Sequence, residues 1–282
     1  MIIKTSHELL RWRALINQSQ SLGFTPTMGA LHDGHLSLIN KSMNQCDVSC
    51  VSIFLNPLQF SVGEDLKSYP QDIDSDIKKL ENMGVDMIFI PPVDDVYNNT
   101  DTFLVTETNL STHLEGESRP QFFSGVLTVV AKLFNLIQPS FAYFGMKDAQ
   151  QLILIQKMVE NMKYPINIVP CETVREHNGL AMSSRNEYLN KDQRYDAKII
   201  YLSLLHAKNL ISSGTLNPSI IKKEMEDMIL SVPNFNVDYI SIADTNTLRE
   251  INNNIVGGCK ILISLAVFLT SVRLIDNVFI ET

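Results

Sequence analysis

Two histidines three positions apart, His32 and His35, stand in the stretch "TPTMGALHDGHLSLI" at residues 25–39. A strand-like segment precedes them, and a helical apolar pattern begins near Gly34. The first turn of a helix has unpaired N–H groups and a partial positive charge, so it binds anions readily. Glycines, here also Gly29, let the backbone approach a ligand closely. The spacing predicts a polyphosphate site with two imidazole donors, although two surface histidines at a helix start are the alternative.

A second group of polar side chains lies far away in the sequence, in "LAMSSRN" at residues 180–186. Ser183 and Ser184 supply hydroxyls, and Arg185 supplies a guanidinium that forms charge-assisted hydrogen bonds to phosphate. A loop of this kind can close over a nucleotide. A polar linker between domains is the alternative interpretation.

The first two-thirds of the chain alternates strand-like and helical patterns, which predicts a parallel sheet with helices on both faces. The predicted helices include residues 72–83, with Ile73 on the apolar face, and residues 126–137. Ligands of such sheets bind beyond the carboxyl ends of the strands. Both "TPTMG" and "FGMKD" follow predicted strands, so we expect them to line one crevice.

From about residue 190 the pattern changes to α+β. Helices are predicted over 192–212 and 218–230, followed by antiparallel strands in "VDYISIAD" and "KILISLAVFLTSVRLIDNVFI". The polar stretch 175–186 marks the border. The sequence therefore predicts a Rossmann-like nucleotide-binding domain at 1–175 and a smaller α+β domain, acting as a lid, at 176–282.

Three aspartates, Asp72, Asp74 and Asp76, could suggest a metal cluster. A spacing of two distributes them around a helix rather than along one face. They are interpreted as acidic residues that stabilise a helix start, and no protein ligand set for a metal is assigned.

Composition narrows the function classes. The chain has 282 residues, 45% of them hydrophobic, and a formal net charge of −8. The acidic balance argues against a nucleic-acid surface. We find no signal peptide and no apolar run near the roughly 20 residues that span a bilayer, so we expect a cytoplasmic protein with no membrane partner. The four cysteines, without C-x-x-C spacing, are predicted to be buried reduced thiols.

The pairing of H-x-G-H with M-S-S-R resembles the phosphate-binding signatures of the nucleotidyl-transferase superfamily. Five segments, two of which contain these motifs, identify the acid that is activated, because together they resemble the pantothenate synthetase family: "PTMGALHDGHLSLI", "IFLNPLQF", "DLKSYP", "YFGMKDAQQLILIQKMV" and "VREHNGLAMSSRNEYL". The C-terminal "VRLIDN" fits as well, so the resemblance covers nearly the whole chain.

The resemblance implies condensation of (R)-pantoate with β-alanine to pantothenate, with ATP and Mg²⁺, through a pantoyl-adenylate that releases pyrophosphate and AMP. It also implies a Rossmann-like domain with a smaller C-terminal domain, and a homodimer. The residues that it assigns to ATP are Met28, Gly29, Ala30, Leu31, His32, Asp33, Gly34, His35, Gly145, Met146, Lys147, Asp148, Val174, Met182, Ser183, Ser184 and Arg185.

Catalysis is assigned by the resemblance to His35 as the acid, with His32 and Lys147 acting on the phosphates. Gln59 would bind pantoate and border the β-alanine site, and Gln151 would bind pantoate from the opposite side. An amide both donates and accepts without competing as a nucleophile. Without the family match, both glutamines would be interpreted as surface amides, and Asn56 as a residue that shapes a turn.

The sequence departs from the family pattern in two places. Phe122 stands in "RPQFF" where the family often has histidine, and Met146 and Ala149 stand in "GMKDAQQ" where it often has glutamate and tyrosine. Three other classes stay open: a cytidylyl- or adenylyl-transferase, a tRNA synthetase and a non-catalytic ATP sensor. The two glutamines argue against the first, and the acidic balance argues against the second.

Overall fold

The computed structural model describes residues 1–61, 64–98 and 100–282. These residues form two compact units. The first unit comprises 1–111, 115–146 and 151–172, and the second comprises 112–114, 147–150 and 173–282. The division into a nucleotide-binding domain at 1–175 and a smaller domain at 176–282 stays a prediction.

Six strands of the first unit form one parallel sheet. They are β1 (Ile2–Ile3), β2 (Leu22–Thr27), β3 (Val48–Ile53), β4 (Met87–Phe89), β5 (Phe141–Gly145) and β6 (Asn167–Cys171). Their order is β1-β4-β3-β2-β5-β6, and every pair is parallel. This sheet confirms the predicted Rossmann-like fold class. The two-residue β1 was not predicted, because it is too short to show a periodic pattern.

The central strand of this sheet is β2. It pairs with β3 on one side, where Thr27 lies beside Ile53, and with β5 on the other. The chain runs outward from β2 to β3 and β4 and then crosses back to β5, so the strand order reverses at β2. Ligands of open α/β sheets bind beyond the carboxyl ends of the strands at such a reversal. The residues after Thr27 therefore stand at the expected place for a site.

Seven helices occur along residues 1–172 in the part of the chain that the structure describes. They are α1 (Ser6–Leu15), α2 (Asp33–Gln45), α3 (Ile73–Met83), α4 (Val93–Val96), α5 (Glu115–Ser118), α6 (Phe122–Ile137) and α7 (Ala149–Met162). Thr5 and Glu8 form a capping box at the start of α1. Gly84, with φ of 84°, ends α3 in the left-handed conformation that glycine adopts without strain.

The apolar helix faces pack on the sheet as the periodicity predicts. Phe134 of α6 meets the ring of Phe24 of β2 edge-on, with centroids 6.4 Å apart. The predicted apolar face of residues 72–83 fails at its first residue, since Ile73 is exposed. Helix α6 begins at Phe122, four residues before the predicted start.

The second unit contains three helices and an antiparallel sheet. Its elements are α8 (Lys191–Asp196), α9 (Lys198–Ser212), α10 (Pro218–Leu230), β7 (Phe235–Asp244), β8 (Lys260–Leu269) and β9 (Val272–Glu281). The strand order β7-β8-β9 confirms the predicted antiparallel strands. The helix predicted over 192–212 is wrong as one element. It is broken at Ala197, whose own N–H still bonds to the carbonyl of Gln193 but whose carbonyl accepts from the N–H of Ile200, only three residues on.

The four cysteines are free thiols. Cys50 and Cys171 are buried, as predicted, and Cys46 is half-buried. The prediction of burial is wrong for Cys259, which is exposed because it lies in the turn just before β8. Among the residues that the structure describes, every helix is too short or too polar to cross a membrane.

Candidate active site

The loop between β2 and α2 carries the two histidines. Gly29 has φ of 87° and Ala30 has φ of 50°, so two successive residues adopt left-handed conformations before the chain enters the helix. Leu31 turns inward and is only 3% exposed. His32 is the N-cap of α2. The predicted strand-turn-helix context of the H-x-G-H motif is therefore confirmed.

The two imidazole rings lie against each other at the start of α2. Their centroids are 4.1 Å apart. Nδ1 of His32 accepts a hydrogen bond from the N–H of Gly34 at 3.1 Å, and Nδ1 of His35 accepts from the N–H of His32 at 3.4 Å. An accepting imidazole nitrogen carries no proton, so the neutral rings carry theirs on Nε2. Both rings are thus set up as Nε2–H donors at a helix N-terminus.

Asp76 contributes to this loop, which the sequence did not predict. Its Oδ1 accepts from the N–H of Leu31 at 2.8 Å, and the residue is 1% exposed. The interpretation of the three aspartates as helix-start charges is incomplete for Asp76, which does lie in the first turn of α3 but turns its carboxylate to the histidine loop. It is supported for Asp72, whose side chain accepts from the N–H of Ser75 and caps α3, and Asp74 is exposed. Asp76 lies inward, unlike Asp72 and Asp74, because residues two positions apart on a helix point in different directions.

Gln59 is held by Asn56 in the segment after β3. Nδ2 of Asn56 donates to Oε1 of Gln59 at 2.9 Å and to the carbonyl of Gly125 at 3.1 Å. Oδ1 of Asn56 accepts from the hydroxyl of Tyr97 at 2.9 Å and from the N–H of Leu58 at 3.2 Å. Burial raises the pKa of Tyr97, so its hydroxyl stays protonated and donates. Because Oε1 of Gln59 accepts from Asn56, the amide NH₂ is the group that Gln59 can present to a ligand.

Arg119 holds the backbone of the same segment. Its guanidinium donates to both carboxylate oxygens of Glu64 at 2.7 Å and to the carbonyl of Gln59 at 2.9 Å. It also lies 3.8 Å from the ring centroid of Phe122. Phe122, one of the departures from the family pattern, therefore contributes a cation–π contact to the residue that fixes Gln59.

Gln151 lies in the first turn of α7 and is half-buried. Its neighbour Gln150 is buried and belongs to the second unit, where its Nε2 donates to the carbonyl of His113 at 2.7 Å. The side-chain amide of Gln150 is therefore already used in a hydrogen bond to a backbone carbonyl. The assignment of Gln151 to pantoate stays a prediction.

A cavity of about 390 Å³ opens in the first unit beside the histidine loop. Met28, Gly29, Pro57, Lys67 and Asp76 are among the residues that line it. Its size is in the range of small-molecule sites. Most of the lining is apolar, and the carboxylate of Asp76 and the side chain of Lys67 supply opposite charges.

In the second unit, Lys147 and Asp148 have fixed surroundings. Nζ of Lys147 lies 3.9 Å from Oδ1 of Asp148, and the carbonyl of Lys147 accepts from Nδ2 of Asn277 at 2.7 Å. Arg175 forms two hydrogen bonds with Asp276, at 2.6 and 3.0 Å. The motif "VRLIDN" gave no role to Asp276 and Asn277, because their partners lie more than 100 residues away.

The segment that leads into M-S-S-R forms a narrow hairpin. The N–H of Met182 donates to the carbonyl of Val174 at 3.0 Å, and Arg175 forms a bridge with Ala181. Gly179, with φ of 95°, forms the turn. These contacts bring two predicted ATP residues, Val174 and Met182, side by side.

The M-S-S-R residues themselves open a short 3₁₀ helix, Ser184–Tyr188. Ser183 is its N-cap, and its hydroxyl accepts from the N–H of Arg185 at 3.3 Å. Nδ2 of Asn186 donates to Oε1 of Glu176 at 2.8 Å and ties the segment to the hairpin. The start of this 3₁₀ helix, with Ser183 as its cap and Arg185 in its first turn, places backbone N–H donors and a cation together. Within residues 1–61, 64–98 and 100–282, no cluster of three His, Cys, Asp or Glu side chains could hold a metal ion.

Comparison with known proteins gives one consistent family. The family model "Pantoate-beta-alanine ligase" matches residues 1–279. A protein of Caldicellulosiruptor saccharolyticus named pantothenate synthetase is 46% identical over 269 residues, which are 95% of each chain. A protein of the same name from Campylobacter fetus is 44% identical over 279 residues, 99% of each chain.

Two solved structures match nearly the full length of the chain. Pantothenate synthetase from Thermus thermophilus superposes with a TM-score of 0.92 at 38% identity, and covers 100% of this chain and 99% of its own. Pantoate-beta-alanine ligase from Francisella tularensis, complexed with beta-gamma ATP and beta-alanine, gives a TM-score of 0.82 at 34% identity, with 99% and 97% covered.

Proposed function

The chain belongs to the pantoate-beta-alanine ligase family and is a ligase that forms pantothenate, and we propose that it does so through a pantoyl-adenylate. In the first step pantoate and ATP give pantoyl-adenylate and pyrophosphate. In the second step β-alanine displaces AMP. ATP and β-alanine, the ligands of the Francisella ligase, support both as substrates here.

The observation that carries this proposal is the pair of imidazoles at the start of α2. Both present Nε2–H groups where the helix N-terminus adds partial positive charge. Attack at the α-phosphate increases the charge on the phosphate oxygens and on the departing pyrophosphate. Donors fixed in advance stabilise that charge without reorganising during the reaction. We assign His35 to the charge that develops and His32 mainly to ordering the phosphates.

The first step forms one bond and breaks one. A carboxylate oxygen of pantoate attacks the α-phosphorus, and the bond to the β-phosphate oxygen breaks, so that pyrophosphate leaves with the electron pair. A carboxylate is a weak nucleophile, and holding it in line with the phosphorus supplies much of the acceleration. We assign that positioning to Gln59 and Gln151. The NH₂ group of Gln59, whose Oε1 is occupied by Asn56, suits a carboxylate or hydroxyl oxygen.

We assign further ATP contacts to the second unit. Lys147 would act as a point charge on phosphate, Asp148 on the ribose, and Val174 on adenine. The residues 182–185 would close over the nucleotide with Arg185 as a charge-assisted donor. Mg²⁺, as a hard cation, would enter on the phosphate oxygens of ATP and neutralise their charge.

The second step requires β-alanine as the free amine. Its nitrogen attacks the acyl carbon, the C–N bond forms, and the bond from carbon to the AMP oxygen breaks. One amine proton is lost to water or to the leaving phosphate. Until then the adenylate must be protected from water, which a closed site provides. A homodimer remains a proposal from the sequence resemblance, and a cytoplasmic location remains a proposal from the lack of a recognisable signal peptide and of a long apolar run.

Exchange of labelled pyrophosphate into ATP tests the adenylate. The first step is reversible and needs no amine, so exchange should require pantoate and should proceed without β-alanine. In the complete reaction, AMP and pyrophosphate should appear, and ADP should not. The control omits pantoate and should give only background exchange.

Three outcomes would contradict the proposed mechanism. Exchange that appears only with β-alanine would indicate a concerted reaction. Release of ADP and phosphate in place of AMP and pyrophosphate would indicate an acyl-phosphate. ATP binding without turnover by any combination of the three substrates would indicate the ATP sensor.

A variant of Gln151 tests its role in pantoate binding. Gln151→Ala should raise the KM for pantoate roughly tenfold, because an unpaired buried polar partner costs about 1–3 kcal/mol. The affinity for ATP, measured by calorimetry, should stay within about twofold. Gln156→Ala, an exposed glutamine of the same helix, is the matched control. Loss of ATP binding with unchanged pantoate use would exclude the assignment.

A further inference from the structure

Two side chains of α3 bind both polar groups of one peptide residue in the histidine loop. Oδ1 of Asp76 accepts from the N–H of Leu31 at 2.8 Å. Nζ of Lys79 donates to the carbonyl of Leu31 at 2.6 Å. The ammonium and the carboxylate lie 3.7 Å apart and are one helical turn from each other. We call Asp76 and Lys79 the Leu31 clamp.

The clamp acts on the part of the loop whose backbone is least regular. Gly29 and Ala30 both have positive φ, and Leu31 follows them directly. A Cβ on Gly29 would lie 3.2 Å from Oδ2 of Asp76, so the carboxylate packs closely against the loop there as well. Glycine adopts positive φ without strain, but a non-glycine residue such as Ala30 keeps a left-handed conformation only where the surroundings enforce it. The clamp supplies part of that enforcement.

Burying the carboxylate of Asp76 costs free energy, and this cost indicates that the carboxylate has a role in the loop. Asp76 is 1% exposed, and its Oδ2 has no hydrogen-bond partner among the described residues. A buried carboxylate with an unsatisfied oxygen is unfavourable, whereas the same charge on the exposed side of α3 would support the helix start without that penalty. Asp74 has that exposed position. The orientation of Asp76 therefore stabilises the loop rather than α3.

Leu31 is followed directly by the first catalytic histidine. His32 caps α2, and His35 bonds to the backbone of His32. A displacement of the Leu31 peptide is therefore transmitted to both rings. An error of about 1 Å in the position of a catalytic group can cost about 100-fold in rate. Leu31 belongs to a buried apolar cluster that also contains Ile39 and Leu80, which holds its side chain but does not set the direction of its peptide.

We propose that Asp76 and Lys79 are positioning residues that fix the histidine loop for catalysis. They touch no substrate in this proposal and act through the backbone of Leu31. The inference rests on the proposed function for its kinetic consequence. Its structural content, the hold on the Leu31 peptide, is independent of the reaction.

The kinetic test compares three variants of α3. Asp76→Ala removes the acceptor and should lower kcat for pyrophosphate exchange by about tenfold to 30-fold, with the KM for pantoate within about twofold. Asp76→Asn keeps an oxygen that can accept from Leu31, so it should recover most of the lost rate. Asp74→Ala removes an equal charge from the exposed side of the same helix and should behave like the parent protein.

A second pair of variants tests the lysine. Lys79→Met removes the donor to the Leu31 carbonyl but keeps the length of the side chain. It should lower kcat about threefold, because the hydrogen bond from the N–H of Leu31 to Asp76 remains. Lys78→Met makes the same substitution at the exposed neighbouring lysine and is the control. Equal kinetics in Lys79→Met and Lys78→Met would remove Lys79 from the clamp.

Spectroscopy separates the clamp from a loss of fold. In Asp76→Ala the amide of Leu31 should exchange with solvent at least about tenfold faster, and the ring ¹⁵N resonances of His32 and His35 should shift, while those of the exposed His7 should not. Unchanged Leu31 exchange and unchanged rings would overturn the proposal. So would an Asp76→Asn variant as slow as Asp76→Ala. If the parent protein shows no pyrophosphate exchange, the proposed function fails, and the Leu31 exchange alone then decides whether the clamp exists.

Discussion

Replacing His35 with alanine is expected to lower kcat by at least about 100-fold, the usual loss when one preset donor to a developing charge is removed. The helix should still form. The hydrogen bond that His35 makes to the N–H of His32 is long, 3.4 Å, and a lost cap interaction costs only about 0.5–2 kcal/mol. Steady-state kinetics and far-UV circular dichroism measure the two effects separately.

Two near-isosteric variants distinguish the catalytic from the capping role of His35. In His35→Asn, the amide oxygen can accept from the N–H of His32 in place of Nδ1, but no group replaces the Nε2–H. In His35→Gln, the amide NH₂ reaches toward the position of Nε2. We expect the asparagine variant to be as stable as the parent and as slow as alanine, and the glutamine variant to recover part of the rate.

The matched control is His7→Ala, an exposed histidine in the first turn of α1. It should leave both turnover and stability within about twofold, because surface substitutions usually change stability by no more than about 0.5 kcal/mol. Near-normal turnover in His35→Asn would show that the Nε2–H of His35 has no part in the reaction.

Gly125→Ala is expected to cause the second large loss, on the order of 100-fold in kcat/KM for pantoate. A Cβ at this position of α6 would lie 2.2 Å from the carbonyl oxygen of Leu58 and 3.1 Å from the N–H nitrogen of Gln59. Both are backbone atoms, so the segment Pro57–Gln59 has to move. That movement would also break the hydrogen bond from Asn56 to the carbonyl of Gly125 and shift the amide of Gln59.

Helix propensity works in the opposite direction and is too small to compensate. Alanine is favoured over glycine inside a helix by about 1 kcal/mol, whereas overpacking costs about 1–3 kcal/mol and displaces a substrate-binding side chain as well. Thermal unfolding should therefore shift only modestly, while pantoate use falls steeply. Pyrophosphate exchange at varied pantoate concentrations measures the effect directly.

Gly257→Ala is the matched control for this substitution. An added Cβ there meets no atom within 4 Å, so it should change neither kinetics nor stability appreciably. Parent-like pantoate kinetics in Gly125→Ala would mean that the position of the Pro57–Gln59 segment does not matter, and the role of Gln59 would have to be abandoned.

The sequence alone determined the local structure and the chemistry of the loop. Strand and helix periods differ, so the sequence alone predicts the alternation of β2, α2 and β3 and the parallel sheet. The N-cap of α1 and the stop at Gly84 are local interactions that depend on residues at most four apart. The same holds for two histidines at a helix start. Errors at this level occurred where periodicity is weak, in the two-residue β1 and at the break at Ala197.

Only the tertiary structure decided which side chains fix the predicted ligand groups. Asp76 was assigned to the start of α3, yet it binds Leu31, 45 residues earlier. Asn56 was expected only to shape a turn, and its contact with Gly125 spans 69 positions. Asn277 binds the backbone of Lys147, which lies 130 positions earlier in the chain. Contacts of this kind depend on how separate elements pack, and no pattern along the chain records them. The sequence thus determined which groups can do the chemistry, and packing determined where they are held, because burial and direction are properties of the folded chain.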